Sequence, residues 1–171
     1  MRPSVSLYLL ALIFLFQIST LSASSTLKKV CNFLGGDYVT PKYCINTLKT
    51  DPRSRSADAQ GLGVIAVQLT TTKATVIKSK LEELLKNASS PHADKALEAC
   101  HQLYSDLIPS LKWAANSMAS KLNRGAKAVL NVAISVPASC DELGVQSISK
   151  DGNAFSNLTN LARAIARYLV A

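Results

Sequence analysis

The sequence predicts an all-α fold: an up-and-down bundle of four antiparallel helices, preceded by a shorter helical extension. Three observations carry that expectation. Apolar residues recur at three- and four-residue steps over long stretches, no long segment alternates with the two-residue period of a strand, and short connections rich in Gly, Asn, Asp and Pro separate the periodic segments.

The first two dozen residues form a separate object. Arg2 precedes an almost uninterrupted apolar run from Leu7 to Ile18, and small and polar residues follow from Ser19 to Ser25. This is the pattern of a secretory signal peptide. A membrane anchor is the rival, but the run is 12 residues long, where a span needs roughly 20. Residues 1–23 are therefore read as a leader, with cleavage after Ala23 or Ser24, and residues 24–171 as one domain.

The elements follow in order. The segment Leu27 to Lys49 reads as the helical extension. From Ser56 to Asn87 a long amphipathic helix runs on Leu62, Ile65, Ala66, Leu69, Val76, Ile77, Leu81, Leu84 and Leu85, with Ser56 or Asp58 as its cap. A second runs from His92 to Leu122 through Leu97, Cys100, Tyr104, Leu107, Leu111 and Met118, with a kink expected at Pro109. Asn123-Arg124-Gly125 is read as a turn, Ala126 to Val136 as a third helix stopped by Pro137, Asp151-Gly152 as another turn, and Ser156 to Val170 as the fourth helix.

Composition narrows the function classes. The 171 residues carry 19 Lys+Arg against 11 Asp+Glu, a net charge of +8, and 48% of them are apolar. Removal of the leader would cost only Arg2 and leave about +7. With 6% aromatic residues and no dense basic run, the aromatic and basic interleaving of a nucleic-acid binder is absent. Anionic polysaccharide or an acidic protein cleft fits this charge better, and no membrane association is expected once the leader is gone.

All four cysteines, Cys31, Cys44, Cys100 and Cys140, fall after the leader, and an even number in an exported chain implies two disulfides. Zinc is the competing use, but no CxxC or HxxxH spacing exists, so no metal is expected. Three pairings are open. Loop-closure entropy favours the near ones, Cys31 with Cys44 and Cys100 with Cys140, each contributing roughly 3 to 4 kcal/mol.

Material for catalysis is poor. The sequence has no GxSxG, HExxH, GxGxxG or phosphate-binding loop, and no cofactor is expected. His101, Asp106 and a serine make a triad only on paper, without motif context. Two sequons, Asn87-Ala88-Ser89 and Asn157-Leu158-Thr159, are glycosylation acceptors. Asn87 lies in a turn between helices, whereas Asn157 is expected to serve as the N-cap of the last helix.

The remaining reading is a rigid, secreted, basic bundle that binds, and here a resemblance enters. The cysteine order, the segment Asp51-Pro52-Arg53-Ser54 with Ala57-Asp58-Ala59-Gln60-Gly61-Leu62-Gly63, and the helix Ala99-Cys100-His101-Gln102-Leu103-Tyr104-Ser105-Asp106 together resemble the plant invertase and pectin methylesterase inhibitor family. The Gln60-Gly61-Leu62-Gly63 neighbourhood looks most like its invertase-inhibitor branch, which includes a plane-tree pollen allergen. The resemblance implies a four-helix bundle with an N-terminal helical hairpin, disulfides joining the first cysteine to the second and the third to the fourth, and no catalysis. It also implies an extracellular, cell-wall protein that covers the cleft of an invertase or a pectin methylesterase. A non-inhibitory protein of the same fold in weak contact with pectin is the alternative.

Two segments depart from the family pattern. Where members carry Pro-Lys-Phe after a glycine, this chain has Gly125-Ala126-Lys127-Ala128, and the threonine-cysteine-x-aspartate turn is Ser139-Cys140-Asp141-Glu142-Leu143. Lys127 is the residue that the resemblance offers for target contact. The small contribution of isolated surface charges favours reading it as one more solvated lysine.

Overall fold

The computed structural model describes residues 26–36, 39–87 and 90–170, so the leader assigned to residues 1–23 lies outside them. Helix α1 (residues 26–33) and helix α2 (Pro41–Leu48) form the N-terminal hairpin. Thr40 caps α2 by accepting the Tyr43 N–H, and the Cys31–Cys44 disulfide joins the two helices at a Cα separation of 5.5 Å. A 3-10 turn (Pro52–Arg55), capped by Asp51, leads into the bundle.

Helix α3 (Ala59–Lys86) starts where the Asp58 carboxylate accepts the Gly61 N–H at 2.7 Å. Its buried stripe is Leu62, Ile65, Ala66, Thr70, Ala74, Ile77 and Leu81. Small residues thus fill positions that the sequence reading gave to larger ones. Val76 is 52% exposed, while Thr70 is fully buried because its hydroxyl donates to the Ala66 carbonyl. Gly63 sits where a Cβ would run into the Met118 sulfur and lie 3.3 Å from Ile165 and Leu169, so the side chains of two later segments pack directly on its backbone.

Helix α4 (Pro91–Ala119), capped by Ser90, runs unbroken through Pro109 and buries Leu97, Cys100, Tyr104, Leu107, Leu111 and Met118 as expected. Helix α5 (Asn123–Ala133) begins three residues before the expected start. The reversal is made earlier than the Asn123-Arg124-Gly125 signal suggested. Lys121 adopts a left-handed φ of 63°, its N–H bonds to the Met118 carbonyl, and the Leu122 N–H bonds to the Ser117 carbonyl. This is the double bond of a Schellman cap, completed on a lysine where glycine is usual.

Pro137 does more than stop a helix. It occupies the first turn of α6 (Val136–Glu142), where a missing N–H costs nothing. A short 3-10 turn (Gln146–Ile148) leads to α7 (Ser149–Tyr168). The last helix therefore begins seven residues before Ser156, and Asp151-Gly152 lies in its first turn rather than before it. Asp151 is held there by Lys73 at 2.6 Å and Lys80 at 2.8 Å, and Gly152 lets the Pro137 ring approach. Asn157 consequently lies inside α7 and caps nothing.

Around the bundle α3 packs on α4 and α7, and α5 packs on the same two, so the diagonals are not close neighbours. This is the cyclic order of an up-and-down bundle. Its centre holds Tyr104 edge-on to Phe155, with ring centroids 5.6 Å apart. Burial, and then the Asp141 and Asp151 charges, push the Tyr104 hydroxyl above its ordinary pKa. Helix α6 lies against α4 and α7, tied to α4 by Cys100–Cys140 at a Cα separation of 5.5 Å. At the other end Gln60 and Asn123 exchange side-chain hydrogen bonds of 2.6 and 3.2 Å. Gln60 also donates to the Met118 carbonyl, and Asn123 donates to that of Leu169.

Two measurements check this framework. Hydrogen bonds from Lys73 and then Lys80 hold the Asp151 carboxyl at about 2, below its ordinary 3.8. A lowered pKa stabilises above the ordinary value and loses that contribution as the pH falls through the shifted one. Asp151→Asn should therefore cost about 1 kcal/mol near neutrality, the exposed quarter of the side chain moderating the full linkage value. In pH-dependent denaturant unfolding the difference from wild type should fade between 3.8 and about 2. Replacing both cysteines of a pair by serine should cost about 3 kcal/mol for Cys31–Cys44 and about 4 kcal/mol for Cys100–Cys140, because the bridges span 13 and 40 residues. Urea midpoints read both, and a larger loss for the shorter loop would contradict the loop-length argument.

Candidate functional site

The histidine that offered itself for catalysis is otherwise engaged. His101 Nε2 lies 3.2 Å from Glu82 Oε1, and the same carboxylate takes Lys78. These contacts, Lys78 first, lower the Glu82 pKa. Asp106 accepts from Gln102 at 2.8 Å instead. The structure thus leaves His101 and Asp106 apart, each paired with another residue. Among the described residues no group of three His, Cys, Asp or Glu side chains could share a metal ion, and no helix is long and apolar enough to cross a membrane.

Lys127 stands in a formed groove rather than on a flat helix face. The groove, of about 290 Å³, runs between the hairpin tip, α5 and α7. Lys127 and Asn131, one turn apart on α5, form one wall; Asn160, Arg163 and Arg167 on α7 form the other. Leu34 and Val39 close it from the hairpin, where the Gly36 N–H bonds to the Val39 carbonyl at 3.3 Å. Arg163 donates to Asn160 Oδ1 at 3.2 Å. An adjoining cleft of about 150 Å³ reaches Phe33 and Tyr168, whose rings meet edge to face at 5.0 Å. The Asn160, Arg163 and Arg167 spacing was visible in the sequence as one polar face, but nothing local announced that a hairpin would lie against it.

A second, shallower hollow of about 470 Å³ separates α3 from α4 and is lined by Gln68, Thr71, Thr72, Thr75, Lys112 and Asn116. The three threonine hydroxyls turn back to carbonyls one turn earlier, and Gln68 Oε1 accepts from Arg53 at 2.7 Å, which leaves Asn116 and Lys112 as its other polar groups. Of the two departing segments, Gly125 lies under the half-exposed Trp113 indole, where a Cβ would come within 2.9 Å of the ring. The other, Ser139 to Leu143, forms the end of α6, with Cys140 buried and Asp141 accepting the Ser149 hydroxyl. Asn87 is exposed at the end of α3. Asn157 is also exposed, but Thr159 of its sequon is fully buried and donates to the Phe155 carbonyl.

Comparison with known proteins adds to this geometry. Residues 25–165 match the family model described as plant invertase/pectin methylesterase inhibitor. A Platanus orientalis protein named "Putative invertase inhibitor" is 30% identical, over 91% of this chain and 94% of its own. "Pectinesterase inhibitor 2" of Arabidopsis thaliana is 26% identical over 93% of both. In fold, the chain is similar to a crystal structure of a pectin methylesterase inhibitor from Arabidopsis thaliana. The TM-score is 0.62 at 22% identity, covering 85% of this chain and 97% of that one. The helical bundle, its hairpin and the match along nearly the whole chain place this protein in the plant invertase/pectin methylesterase inhibitor family.

Proposed function

We propose that the protein is a secreted inhibitor that docks on a plant carbohydrate-active enzyme and blocks its cleft, with invertase as the first target. The observation that carries this reading is the 30% identity to the Platanus protein named as an invertase inhibitor, which extends over 91% of the chain. A rigid bundle with two disulfides suits the role, since a preorganised surface loses little conformational entropy on docking. Its net charge of +8 favours approach to a carboxylate-lined cleft. Pectin methylesterase is the second reading, favoured by the 26% identity to the Arabidopsis pectinesterase inhibitor.

The deciding experiment titrates purified cell-wall invertase and pectin methylesterase, side by side, with the mature protein at mildly acidic pH. Inhibition of invertase alone is the expected result. Inhibition of the methylesterase alone moves the target to the second reading, and inhibition of neither overturns the proposal. Lys127→Ala should weaken inhibition by less than about fivefold, the ceiling for one solvent-screened charge of about 1 kcal/mol. A loss of a hundredfold would instead make Lys127 the anchor of the interface.

Secretion carries its own expectation. The leader at residues 1–23 would be removed, and Asn87, exposed at a helix end, is the acceptor to carry a glycan. Protein expressed through a plant secretory route should lose mass on enzymatic deglycosylation. Asn87→Gln should abolish that loss, and an unchanged mass difference in the variant would assign the glycan to Asn157.

A further inference from the structure

The groove at the hairpin tip gathers three cations that meet no carboxylate among the described residues. Among the described residues Arg53, Lys73, Lys78 and Lys80 each meet a carboxylate, whereas Lys127, Arg163 and Arg167 meet none, and no described lining residue is Asp or Glu. Lys127 and Arg163 are half-buried, so part of their hydration is lost without an ion pair in return. Three like charges around about 290 Å³ repel one another, and an anion seated between them would relieve both effects.

The other lining groups specify what kind of anion. Arg163 and Arg167 are one turn apart on α7, so their backbones are about 6 Å apart along the axis, and with Lys127 on the facing wall they present charge on both sides of the groove, where an extended chain of acidic groups can meet all three. A guanidinium fork matches a carboxylate. Asn131 and Asn160 add amides, which both donate and accept, as hydroxyl groups require. Phe33, 70% exposed beside Tyr168, offers an apolar ring where the cleft continues, a surface for the C–H face of a sugar. Repeated carboxylates, hydroxyls and an apolar ring face occur together in a uronic-acid oligosaccharide. We propose that this groove binds such a chain, a de-esterified pectin fragment, by ion pairs to Lys127, Arg163 and Arg167 and by packing on Phe33. The proposal does not depend on enzyme inhibition.

The test uses the full mature protein and no enzyme. A short oligogalacturonate is titrated calorimetrically at low ionic strength and by amide chemical-shift mapping, beside its fully methyl-esterified counterpart and a polyglutamate peptide of equal charge. Saturable binding of the oligogalacturonate alone, with shifts centred on Asn131, Asn160 and Arg163, is expected. Arg163→Gln/Arg167→Gln should weaken it at least tenfold and Phe33→Ser several-fold, while Lys86→Gln/Lys95→Gln, the same charge change elsewhere, should leave it unaltered. Absence of binding, equal binding of the methyl ester or the peptide, or equal loss in the Lys86/Lys95 control would overturn the proposal. A thermal melt checks that the arginine variant is folded; if it is not, Phe33→Ser and the shift map of the unaltered protein decide. Inhibition assays on the same variants are a separate readout, so failure here and failure of the inhibitory reading can be told apart.

Discussion

The bundle depends on a pair of side-chain amides at one of its ends. Gln60 opens α3, Asn123 opens α5, and their mutual hydrogen bonds also take in the last carbonyls of two other helices, at Met118 and Leu169. Two carbonyls at the C-terminal ends of α4 and α7 are thus tied to the first turns of α3 and α5. Asn123 is only 7% exposed, so either amide without its partner would leave a buried polar group unsatisfied. The close packing of Gly63 on Met118, Ile165 and Leu169 lies next to this clasp and requires the register that it sets.

At the opposite end the constraint is ionic and covalent. Asp151 draws Lys73 and Lys80 of α3 to the start of α7, and Cys100–Cys140 holds α6 against α4. The first-turn position of Asp151 also suits the positive end of the helix dipole. With both ends fixed, α5 and α7 diverge little, and the hairpin lies against the walls that they present. The groove is therefore a consequence of the frame: its walls come from two bundle helices and its end from the hairpin, far from both in sequence.

Most of the frame was legible in the sequence, and the misplaced helix starts share one cause. The α4 stripe from Leu97 to Met118 and the Asp58 cap of α3 are local signals, and they appear where expected. Asn123-Arg124-Gly125 and Asp151-Gly152 are also local signals, yet in each a tertiary partner outweighs the turn propensity, while Pro137 suits the first turn of α6 as well as it suits a stop. Asn123 is drawn into a helix by Gln60, Asp151 by two lysines, and Gly152 by the need to admit Pro137. The expectation that Asn157 caps the last helix fell with the same error. Val76 failed differently: a β-branched apolar residue at helical spacing is no guide to burial when Ala74 and Thr70 fill the seam instead. The groove was illegible for a stronger reason, since the Asn160, Arg163 and Arg167 face becomes a wall only when the hairpin docks.

The charge excess acquires a structural meaning once the ion pairs are traced. Asp51, Glu82 and Asp151 are taken up by Arg53, by Lys78 with His101, and by Lys73 with Lys80. These three acids thus serve the frame, and three of the surplus cations line one groove. Exposed pairs add little stability, so the fold gives up little by leaving the groove cations without a carboxylate among the described residues. A net charge of +8 then acts at two ranges. It steers the bundle toward an acidic surface over roughly a Debye length, about 8 Å at physiological ionic strength. At contact, the guanidinium groups of Arg163 and Arg167 can each pair in plane with a carboxylate, a directional interaction that a diffuse negative field does not offer.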